Sequence, residues 1–364
     1  MIWSTPFGVS SMLVRLFNHR TNSSNYMYSI LKKALFTLNP ETSHDLSLDL
    51  LGASERLGLL NLFSPKISSD PVSILGLTFD NPVGLAAGLD KNGDYYNALG
   101  QFGFGFVEIG TVTPRPQSGN AKPRMFRLEA EQGIINRMGF NNKGVDYLVE
   151  RVKNRRYGGI LGINIGKNKV TSDQDALLDY QAAMTAVYSY ADYITVNISS
   201  PNTPGLRSLQ FGDSLKQLLV GLKTTQQNLA SQHQCYKPIL VKIAPDMTEI
   251  ELKSVAETLV THAIDGVIAT NTTLDRASVV NSVHATEMGG LSGAPLTDTA
   301  THIITQLRSH VGSLPIIGVG GIMQGSDAIA KIRAGADLVQ IYSGFIYKGP
   351  EIIVDARRSI LEAR

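Results

Sequence analysis

Eight short apolar runs alternate with longer amphipathic stretches from about residue 70 onward. The runs cover residues 82–86, 106–109, 160–165, 193–198, 239–243, 266–269, 316–319 and 338–341. Apolar runs that alternate with helical stretches predict parallel strands that are buried on both faces. Eight such units close into a barrel without leaving an edge strand. The pattern therefore predicts the α/β fold class, as a (β/α)8 TIM barrel that follows a short hairpin at residues 72–79.

Two amphipathic helices are predicted before the barrel. The first has apolar residues three and four positions apart, at Ile30, Leu31, Ala34, Leu35 and Leu38. The second begins at Asn39-Pro40, an N-cap followed by proline at the first helical position, and carries Leu46, Leu50, Ala53 and Leu57. Such leucine-rich helices either lie in a membrane interface or pack as a hairpin on their own protein. Periodicity alone slightly favours the packed hairpin.

The chain divides into three predicted units. Residues 1–26 are basic and free of acidic residues, which suits either a transit peptide or, as we favour, a disordered or non-native extension. Residues 27–68 form the small N-terminal helical domain, and residues 69–364 form the barrel. Neither low complexity nor a linker interrupts the pattern after residue 70.

Composition and charge exclude several functional classes. The chain has 33 basic and 31 acidic residues among 364, so no overall field attracts nucleic acid. Its single cysteine, Cys235, excludes an internal disulfide and a cysteine-ligated metal cluster. The histidines lack metal-ligand spacing, and no metal site is predicted. No run of about 18 apolar residues suggests a membrane-spanning helix.

The residues at the predicted strand ends point to a polar but largely uncharged site. Chemistry in this type of barrel collects where the strands pass into the following loops. Nearly all of these positions hold an amide, a hydroxyl, a lysine or a glycine, and they include Ala87, Gly88, Lys91, Thr111, Asn164, Asn197, Ser199, Ser200, Asn202, Lys242, Thr270, Asn271, Thr272, Gly320, Gly321, Tyr342, Ser343 and Gly344. Asparagine and threonine can donate and accept hydrogen bonds without carrying charge, which suits a flat heterocycle with several carbonyl groups.

Two features of this set suggest a particular ligand. Gly320-Gly321 and Ser343-Gly344 follow strands seven and eight, where backbone N–H groups can bind a phosphate, although glycines also serve tight turns. Lys242 lies inside the apolar run 239–243, and a buried lysine needs a partner. The N1–C2=O2 edge of a reduced flavin is one candidate partner, and a structural salt bridge is the other.

From about Met27 to its C-terminus, the chain resembles the dihydroorotate dehydrogenases. Four motifs match in order: NPVGLAAGLDK at 81–91, FVEIGTVTP at 106–114, NRMGFN at 136–141 and NISSPNT at 197–203. This joint match is far more specific than any single glycine pattern. The resemblance implies FMN across the barrel mouth, with dihydroorotate stacked on its ring.

The resemblance also assigns the ligand contacts. Those implied for FMN are Ala87, Gly88, Lys91, Thr111, Asn164, Asn197, Lys242, Thr270, Gly293, Gly320, Gly321, Tyr342 and Ser343. Those implied for the substrate are Lys91, Asn136, Arg137, Met138, Gly139, Phe140, Asn197, Asn202, Asn271 and Thr272. One cation for one carboxylate, with paired amides for a cyclic urea, is chemically sensible.

The catalytic loop separates the classes of this family. Class 1 members place a cysteine there and class 2 members a serine; here Ser199-Ser200-Pro201 occupies the loop, and Cys235 precedes strand five. The resemblance therefore implies class 2, with Ser200 as the base that removes the C5 proton of dihydroorotate. A serine hydroxyl needs activation, by a water or a neighbouring threonine. Ser199 is predicted only to shape the turn.

Class 2 resemblance gives the N-terminal helices a role and outweighs the packed-hairpin interpretation. It implies peripheral membrane attachment through these helices, on the cytoplasmic face of the bacterial inner membrane. The helices would form an apolar quinone entry near His44 and Arg127. The implied reaction oxidises (S)-dihydroorotate to orotate in pyrimidine biosynthesis, with hydride passing to FMN and electrons then to a membrane quinone. No obligate protein partner is predicted.

Three alternatives compete with this interpretation. A class 1-like enzyme would use a soluble acceptor, but Ser200 and the N-terminal helices disfavour it. A dihydrouridine synthase is also an FMN barrel, yet the chain lacks the expected basic stripe and RNA-binding domain. A non-catalytic barrel that binds a phosphate ligand would purify without a yellow cofactor.

Overall fold

A computed structural model describes residues 28–62 and 69–364. The predicted extension at residues 1–26, and residues 63–68 of the predicted helical domain, lie outside the described residues. The strands are β1 (Val72–Ile74), β2 (Leu77–Phe79), β3 (Val83–Leu85), β4 (Phe106–Val112), β5 (Met125–Leu128), β6 (Gly133–Asn136), β7 (Ile160–Ile165), β8 (Tyr193–Asn197), β9 (Ile239–Ile243), β10 (Gly266–Ala269), β11 (Gly290–Gly293), β12 (Ile316–Val319) and β13 (Leu338–Ile341).

Helices follow most barrel strands. They are α1 (described over residues 28–36), α2 (Pro40–Arg56), α3 (Tyr96–Gly100), α4 (Val145–Val152), α5 (Ala176–Val187), α6 (Gly212–His233), α7 (Glu249–Thr261), α8 (Thr297–Val311), α9 (Gly325–Arg333), α10 (Ser343–Lys348) and α11 (Glu351–Glu362). A capping box at Thr248 and Glu251 begins α7, which explains the acidic first turn of that helix.

Eight parallel strands form a closed barrel in the order β10-β12-β13-β3-β4-β7-β8-β9. This confirms the predicted TIM barrel, and strands β7, β9, β10, β12 and β13 have the predicted bounds. The predicted hairpin is β1 paired with β2. The barrel interior is filled by side chains in layers, as expected for eight strands.

The layers of the barrel interior follow from the two-residue period of its strands. Near the N-terminal ends, the inward positions are apolar, and the β2 residue Phe79 closes this end by packing edge-on against Phe106 at a centroid distance of 5.1 Å. Two residues further along four of the strands, the inward positions become polar, at Glu108, Thr195, Lys242 and Gln340. A polar layer therefore separates the apolar end of the barrel from its C-terminal mouth.

A small antiparallel sheet, which the sequence pattern did not predict, lies outside the barrel. Its strand order is β11-β6-β5. Met125, Ile134 and Met138 belong to one apolar cluster with Tyr347, while Phe126 and Ile135 belong to another. The first cluster also contacts Phe36 of α1, so the sheet connects the N-terminal helices to the barrel.

The N-terminal helices present their leucines outward. Helix α2 begins as predicted, because Asn39 caps it by accepting a hydrogen bond from Glu41 N. Leu48 of this helix is buried, whereas Leu46, Leu50 and the C-cap residue Leu57 are 41%, 49% and 72% exposed. The predicted apolar stripe of α2 therefore does not pack on the barrel.

Helix α1 docks through a different face from its apolar stripe. The Tyr28 hydroxyl donates to Ile346 O at 2.7 Å, and Lys32 Nζ donates to Tyr347 O at 3.0 Å. Phe36 stacks edge-on against Tyr347. Ile30 and Leu31 remain exposed. No helix in residues 28–62 or 69–364 has the length and apolar content needed to cross a bilayer.

Candidate active site

A cavity at the C-terminal end of the barrel gathers most of the predicted site residues. Its walls combine strand-end loops with strands of the outer sheet. The predicted residues in its lining are Ala87, Gly88, Lys91, Thr111, Asn136, Met138, Gly139, Phe140, Asn197, Ser200, Asn202, Lys242, Thr270, Asn271, Thr272, Gly293, Gly320, Gly321, Tyr342 and Ser343.

Two predicted contacts do not line this cavity. Asn164 is completely buried behind Thr111, whose hydroxyl donates to Asn164 Oδ1 at 2.6 Å. Arg137 turns away from the cavity, forms an ion pair with Glu287 at 2.6 Å and stacks over the ring of Phe126. Arg137 thus orders the loop that carries it, whereas Asn164 supports the lining from behind.

The two residues predicted at the quinone entry also lie outside the lining. Arg127 donates to Phe36 O and Leu38 O at 2.9 and 3.1 Å, and therefore caps the C-terminal end of α1. Burial, followed by the neighbouring Lys91 ammonium, lowers the pKa of His44 to about 3. His44 is therefore neutral at physiological pH.

Lys91 provides positive charge on one side of the cavity. Burial, followed by the neighbouring Arg124 guanidinium, lowers its pKa to about 8, against the opposing effects of Glu41 and two aspartates. Arg124 is held by a buried ion pair with Glu41 at 2.7 Å, which also fixes the start of α2. The N-terminal helices and Lys91 therefore share one electrostatic network.

Paired amides lie near this cation. Asn202 Nδ2 donates to Asn136 O at 3.1 Å, and Asn120 Nδ2 donates to Asn202 O at 3.2 Å. Asn271 reaches the same group from the next loops, since its Nδ2 donates to Ser199 Oγ at 3.0 Å. The arrangement offers donors and acceptors to a planar anionic ring.

The two loop serines have different surroundings. Ser200 lines the cavity, and its Oγ accepts a hydrogen bond from Asn202 N at 3.2 Å. No histidine or carboxylate within the described ranges bonds to this oxygen. Ser199 lies behind the lining, where its hydroxyl donates to Asn197 Oδ1. Thr203, three residues after Ser200, is buried with an unpaired hydroxyl.

Lys242 is a buried cation without a protein partner. Only 5% of the residue is exposed, and its ammonium forms neither a hydrogen bond nor an ion pair with any described residue. Burial lowers the pKa of Lys242, and the nearby Glu108 carboxylate partly opposes that effect. The structural salt bridge considered from the sequence is therefore absent from the described part of the chain. The ammonium is directed to the cavity, where it can bind an electron-rich ligand edge.

The glycines at strands seven and eight form a close-fitting cradle. Gly320 and Gly321 adopt φ values of +115° and +72°, and a Cβ on Gly321 would lie 2.3 Å from the Thr297 Cα. A Cβ on Gly344 would lie 2.1 Å from Ile322 O. Backbone N–H groups can approach a phosphate closely in such a cradle. The cradle and the unpaired Lys242 fit a phosphate-bearing flavin in the cavity.

Two supporting residues escaped the sequence prediction. Gln340 lines the cavity from the middle of β13, and a polar residue inside an apolar strand was the available signal, as for Lys242. Arg207 donates to Ser199 O and Thr272 O and pairs with Asp246, so it ties the Ser200 loop to two other loops. Nothing in the local pattern around Arg207 distinguishes it from a surface arginine.

Known proteins resemble this chain closely. The family model described as dihydroorotate dehydrogenase matches residues 71–363. A curated relative from Saccharophagus degradans, named dihydroorotate dehydrogenase (quinone), is 62% identical over 338 residues, which cover 93% of this chain and 100% of the relative. A relative of the same name from Teredinibacter turnerae is 61% identical, with 92% and 99% coverage.

Two solved structures are also similar to this chain. The crystal structure of DHODH from Eimeria tenella in complex with ferulenol superposes with a TM-score of 0.84 at 36% identity and covers 92% of this chain and 94% of that chain. The ligand-free type from the same organism superposes with a TM-score of 0.81 at 38% identity, with 89% and 94% coverage.

Proposed function

Because the chain belongs to the dihydroorotate dehydrogenase family, we propose that its cavity oxidises dihydroorotate to orotate, a step of pyrimidine biosynthesis, with a quinone as electron acceptor. The observation that carries the proposal is the buried, unpaired Lys242 in an amide-lined barrel mouth. This is the arrangement expected for a flavin oxidoreductase, and bacterial relatives about 60% identical are named for the quinone-dependent reaction.

We propose FMN as the flavin. The glycine cradle and Ser343 would hold its phosphate, and Lys242 and Thr270 would contact its ring. Bound there, the flavin supplies a two-electron acceptor that can be reoxidised by a quinone. Lys242 would stabilise negative charge on the bound ring, and Asn164 holds the hydroxyl of Thr111 in the cavity lining by accepting its hydrogen bond.

For the substrate, we propose that Lys91 pairs with the carboxylate and that the amides bind the ring. Asn136, Asn202 and Asn271 present the required donors and acceptors around the cavity. Met138, Gly139 and Phe140 form the adjacent wall. These groups would orient the substrate so that its reacting carbons lie beside Ser200.

Ser200 is the proposed base. Its oxygen would take the C5 proton of dihydroorotate while C6 gives up a hydride, for which the bound flavin would be the acceptor. The proton already on Ser200 would pass on through water or Thr203. The support is positional: Ser200 alone of the two loop serines lines the cavity, and the buried Thr203 hydroxyl lies in the same loop without a partner. General base catalysis of this kind contributes roughly 10²–10⁴-fold to a rate.

The N-terminal helices, within the proposed domain 27–68, would bind the cytoplasmic face of a bacterial inner membrane. The support is the outward stripe of Leu46, Leu50 and Leu57. Met125, Ile134 and Met138 give the cavity an apolar side close to α1, through which a quinone would enter near His44 and Arg127. Attachment in this proposal is peripheral and depends on these exposed leucines.

The cofactor proposal is tested by releasing and identifying the bound chromophore. We expect one FMN per chain, and we expect K242M to bind FMN more weakly because it removes the only charge that we place at the flavin ring. FAD in the extract would refute the mononucleotide assignment. A colourless protein that FMN does not reconstitute would favour a barrel that binds only a phosphate ligand.

A further inference from the structure

Glu108 is a buried acid at the centre of the barrel, below the cavity. It lies in the middle of β4, its side chain points into the barrel and it is completely shielded from solvent. Burying a carboxylate without compensation is strongly unfavourable. The polar layer around Glu108 supplies that compensation, and its geometry has a consequence for the site above.

Four donors surround the Glu108 carboxylate. Tyr193 OH, Thr195 Oγ1 and Gln340 Nε2 donate to Oε2 at 2.9, 3.2 and 2.9 Å. Asn164 Nδ2 donates to Oε1 at 2.8 Å. An ionised carboxylate can only accept hydrogen bonds, so Asn164 must direct its amide nitrogen to Glu108 and its oxygen away.

The orientation of Asn164 determines the next two side chains. Its Oδ1 accepts from Thr111 Oγ1 at 2.6 Å, which uses the only proton of that hydroxyl. Thr111 Oγ1 therefore accepts from Asn197 Nδ2, at 2.9 Å. Asn197 Oδ1 is left facing the opposite way, where it accepts from Ser199 N at 3.2 Å and from Asn271 Nδ2 at 3.4 Å.

This series of hydrogen bonds, which we call the amide chain, runs from Glu108 through Asn164 and Thr111 to Asn197. Its members point in one direction because its lower end is a group that cannot donate. Its upper end, with Asn271 attached, lies in the cavity lining. Reversal of the chain would bring Asn197 Nδ2 against the amide nitrogen of Asn271.

We propose that Glu108 is a positioning residue that sets the direction of the amide chain and thereby orients Asn197 and Asn271 for the substrate ring. The proposal rests on the proposed function, because it takes the ligand of these two amides to be dihydroorotate or orotate. Glu108 also lies near Lys242 in the polar layer, so this layer of the barrel combines one acidic and one basic side chain. A role in packing alone would require the volume of this side chain but not its inability to donate.

The variant E108Q separates these two roles because it keeps the shape. Three of the four donors meet Oε2, so the amide oxygen of the variant takes that position and its nitrogen replaces Oε1. This nitrogen faces Asn164 Nδ2, and one donor must turn. Asn164 then reverses, Thr111 donates to Asn197, and Asn197 presents nitrogen to Asn271.

The test measures the orotate affinity of the FMN-loaded protein. The change in the flavin spectrum during titration with orotate reports binding. We expect E108Q to weaken orotate binding about tenfold, the effect of one misdirected buried hydrogen bond, while FMN stays bound. The matched control is T195V, which removes one donor to Glu108 but keeps the carboxylate. Its orotate dissociation constant should stay within about twofold of wild type.

A double-mutant cycle with T111V shows whether Glu108 acts through the amide chain. Replacing Thr111 by valine cuts the chain between Asn164 and Asn197, so E108Q should add less than about twofold to the loss caused by T111V. Independent, multiplying effects of E108Q and T111V would overturn the proposal, as would equal orotate affinities of E108Q and wild type.

Two measurements keep the outcome interpretable. Thermal unfolding of each apoprotein reports its stability. If E108Q does not fold, a comparison of T111V with T111S tests the amide chain instead. Of these two variants, only T111S retains the hydroxyl, and only T111S should keep wild-type orotate affinity. Equal affinities of those two variants would contradict the proposal. If wild-type protein with bound FMN fails to bind orotate at all, the proposed function is at fault, and Glu108 is then assessed by FMN affinity in the same cycle.

Discussion

Ser199 and Ser200 show how neighbouring identical side chains acquire different roles. The β8 strand ends at Asn197, and the loop that follows turns Ser199 inward and Ser200 toward the cavity. Ser199 is held between Asn197 and Asn271, so its hydroxyl is already used. The sequence placed both serines at the right strand end, but only their orientation supports the choice of Ser200.

We predict that S200A slows flavin reduction by dihydroorotate by roughly 10²–10⁴-fold, because it removes the general base. FMN should stay bound, since Ser200 belongs to the proposed substrate side of the cavity. Stopped-flow absorbance under anaerobic conditions measures the rate. S199A is the neighbouring control, with a smaller loss expressed mainly as weaker substrate binding. A near-normal reduction rate in S200A would remove Ser200 from the mechanism.

Lys91 leads to a prediction about pH. Its pKa of about 8 in the ligand-free protein means that the cation is present below this pH and is lost as the pH rises through it. If Lys91 binds the substrate carboxylate, orotate affinity should be constant below pH 8 and decline above it. K91R provides the control, because a guanidinium keeps its charge across this range. Orotate titrations between pH 6 and 10 that show no decline in wild type would argue against the assignment.

At the scale of elements, the N-terminal helices were predicted correctly as helices, but periodicity could not say which face docks. The described part of α1 binds through Tyr28, Lys32 and Phe36, which form hydrogen bonds and a ring contact with α10. The aromatic and polar residues of this face contribute little to the hydrophobic periodicity of the sequence, so periodicity did not reveal it. Most leucines of the pattern are instead exposed, among them Leu31, Leu46 and Leu50.

The exposed face predicts a specific loss of membrane binding. We expect L50E/L57E to lower binding to phospholipid vesicles tenfold or more, because each leucine contributes roughly 1.5–3 kcal/mol when it is buried in lipid. Both side chains are exposed, so folding should be unaffected. I250E is the matched control, since Ile250 is an exposed apolar residue on α7, a barrel helix. Equal sedimentation of L50E/L57E and I250E with vesicles would contradict a role for this face.

The outer sheet was not predicted because its strands pair across a long stretch of sequence. Strands β5 and β6 have four residues each, and the third strand, β11, pairs with β6 across more than half of the barrel sequence. These short strands pack one face on one small apolar cluster and the other face on a second cluster. Their sequences therefore show no extended alternation of apolar and polar residues. Barrel strands are easier to recognise, because burial on both faces makes them continuously apolar.

For the whole molecule, the barrel architecture explains why so much of the candidate site could be predicted from sequence. Knowing eight strand ends is sufficient to place most site residues around one mouth. What strand position does not determine is side-chain direction: Asn164 supports Thr111 from behind, and Arg137 turns outward to Glu287. The polar layer around Glu108 was likewise missed, because it depends on contacts among β4, β7, β8 and β13.

The same architecture gives the cavity two chemically different walls. Lys91 and the amides face the cavity from the loops of the barrel, whereas Met125 and Ile134 approach it from the outer sheet next to the N-terminal helices. Substrate and quinone would therefore reach one flavin from different directions. An electron transfer of this kind consists of two separable half-reactions, and each can be observed through the flavin itself.

The most direct test mixes the purified protein with dihydroorotate in the absence of oxygen and follows the flavin absorbance, before and after a quinone is added. We predict that dihydroorotate bleaches the oxidised flavin band and that the quinone restores it. Bleaching without recovery would contradict the quinone as electron acceptor. A bound flavin that stays oxidised in the presence of dihydroorotate would contradict the proposed substrate.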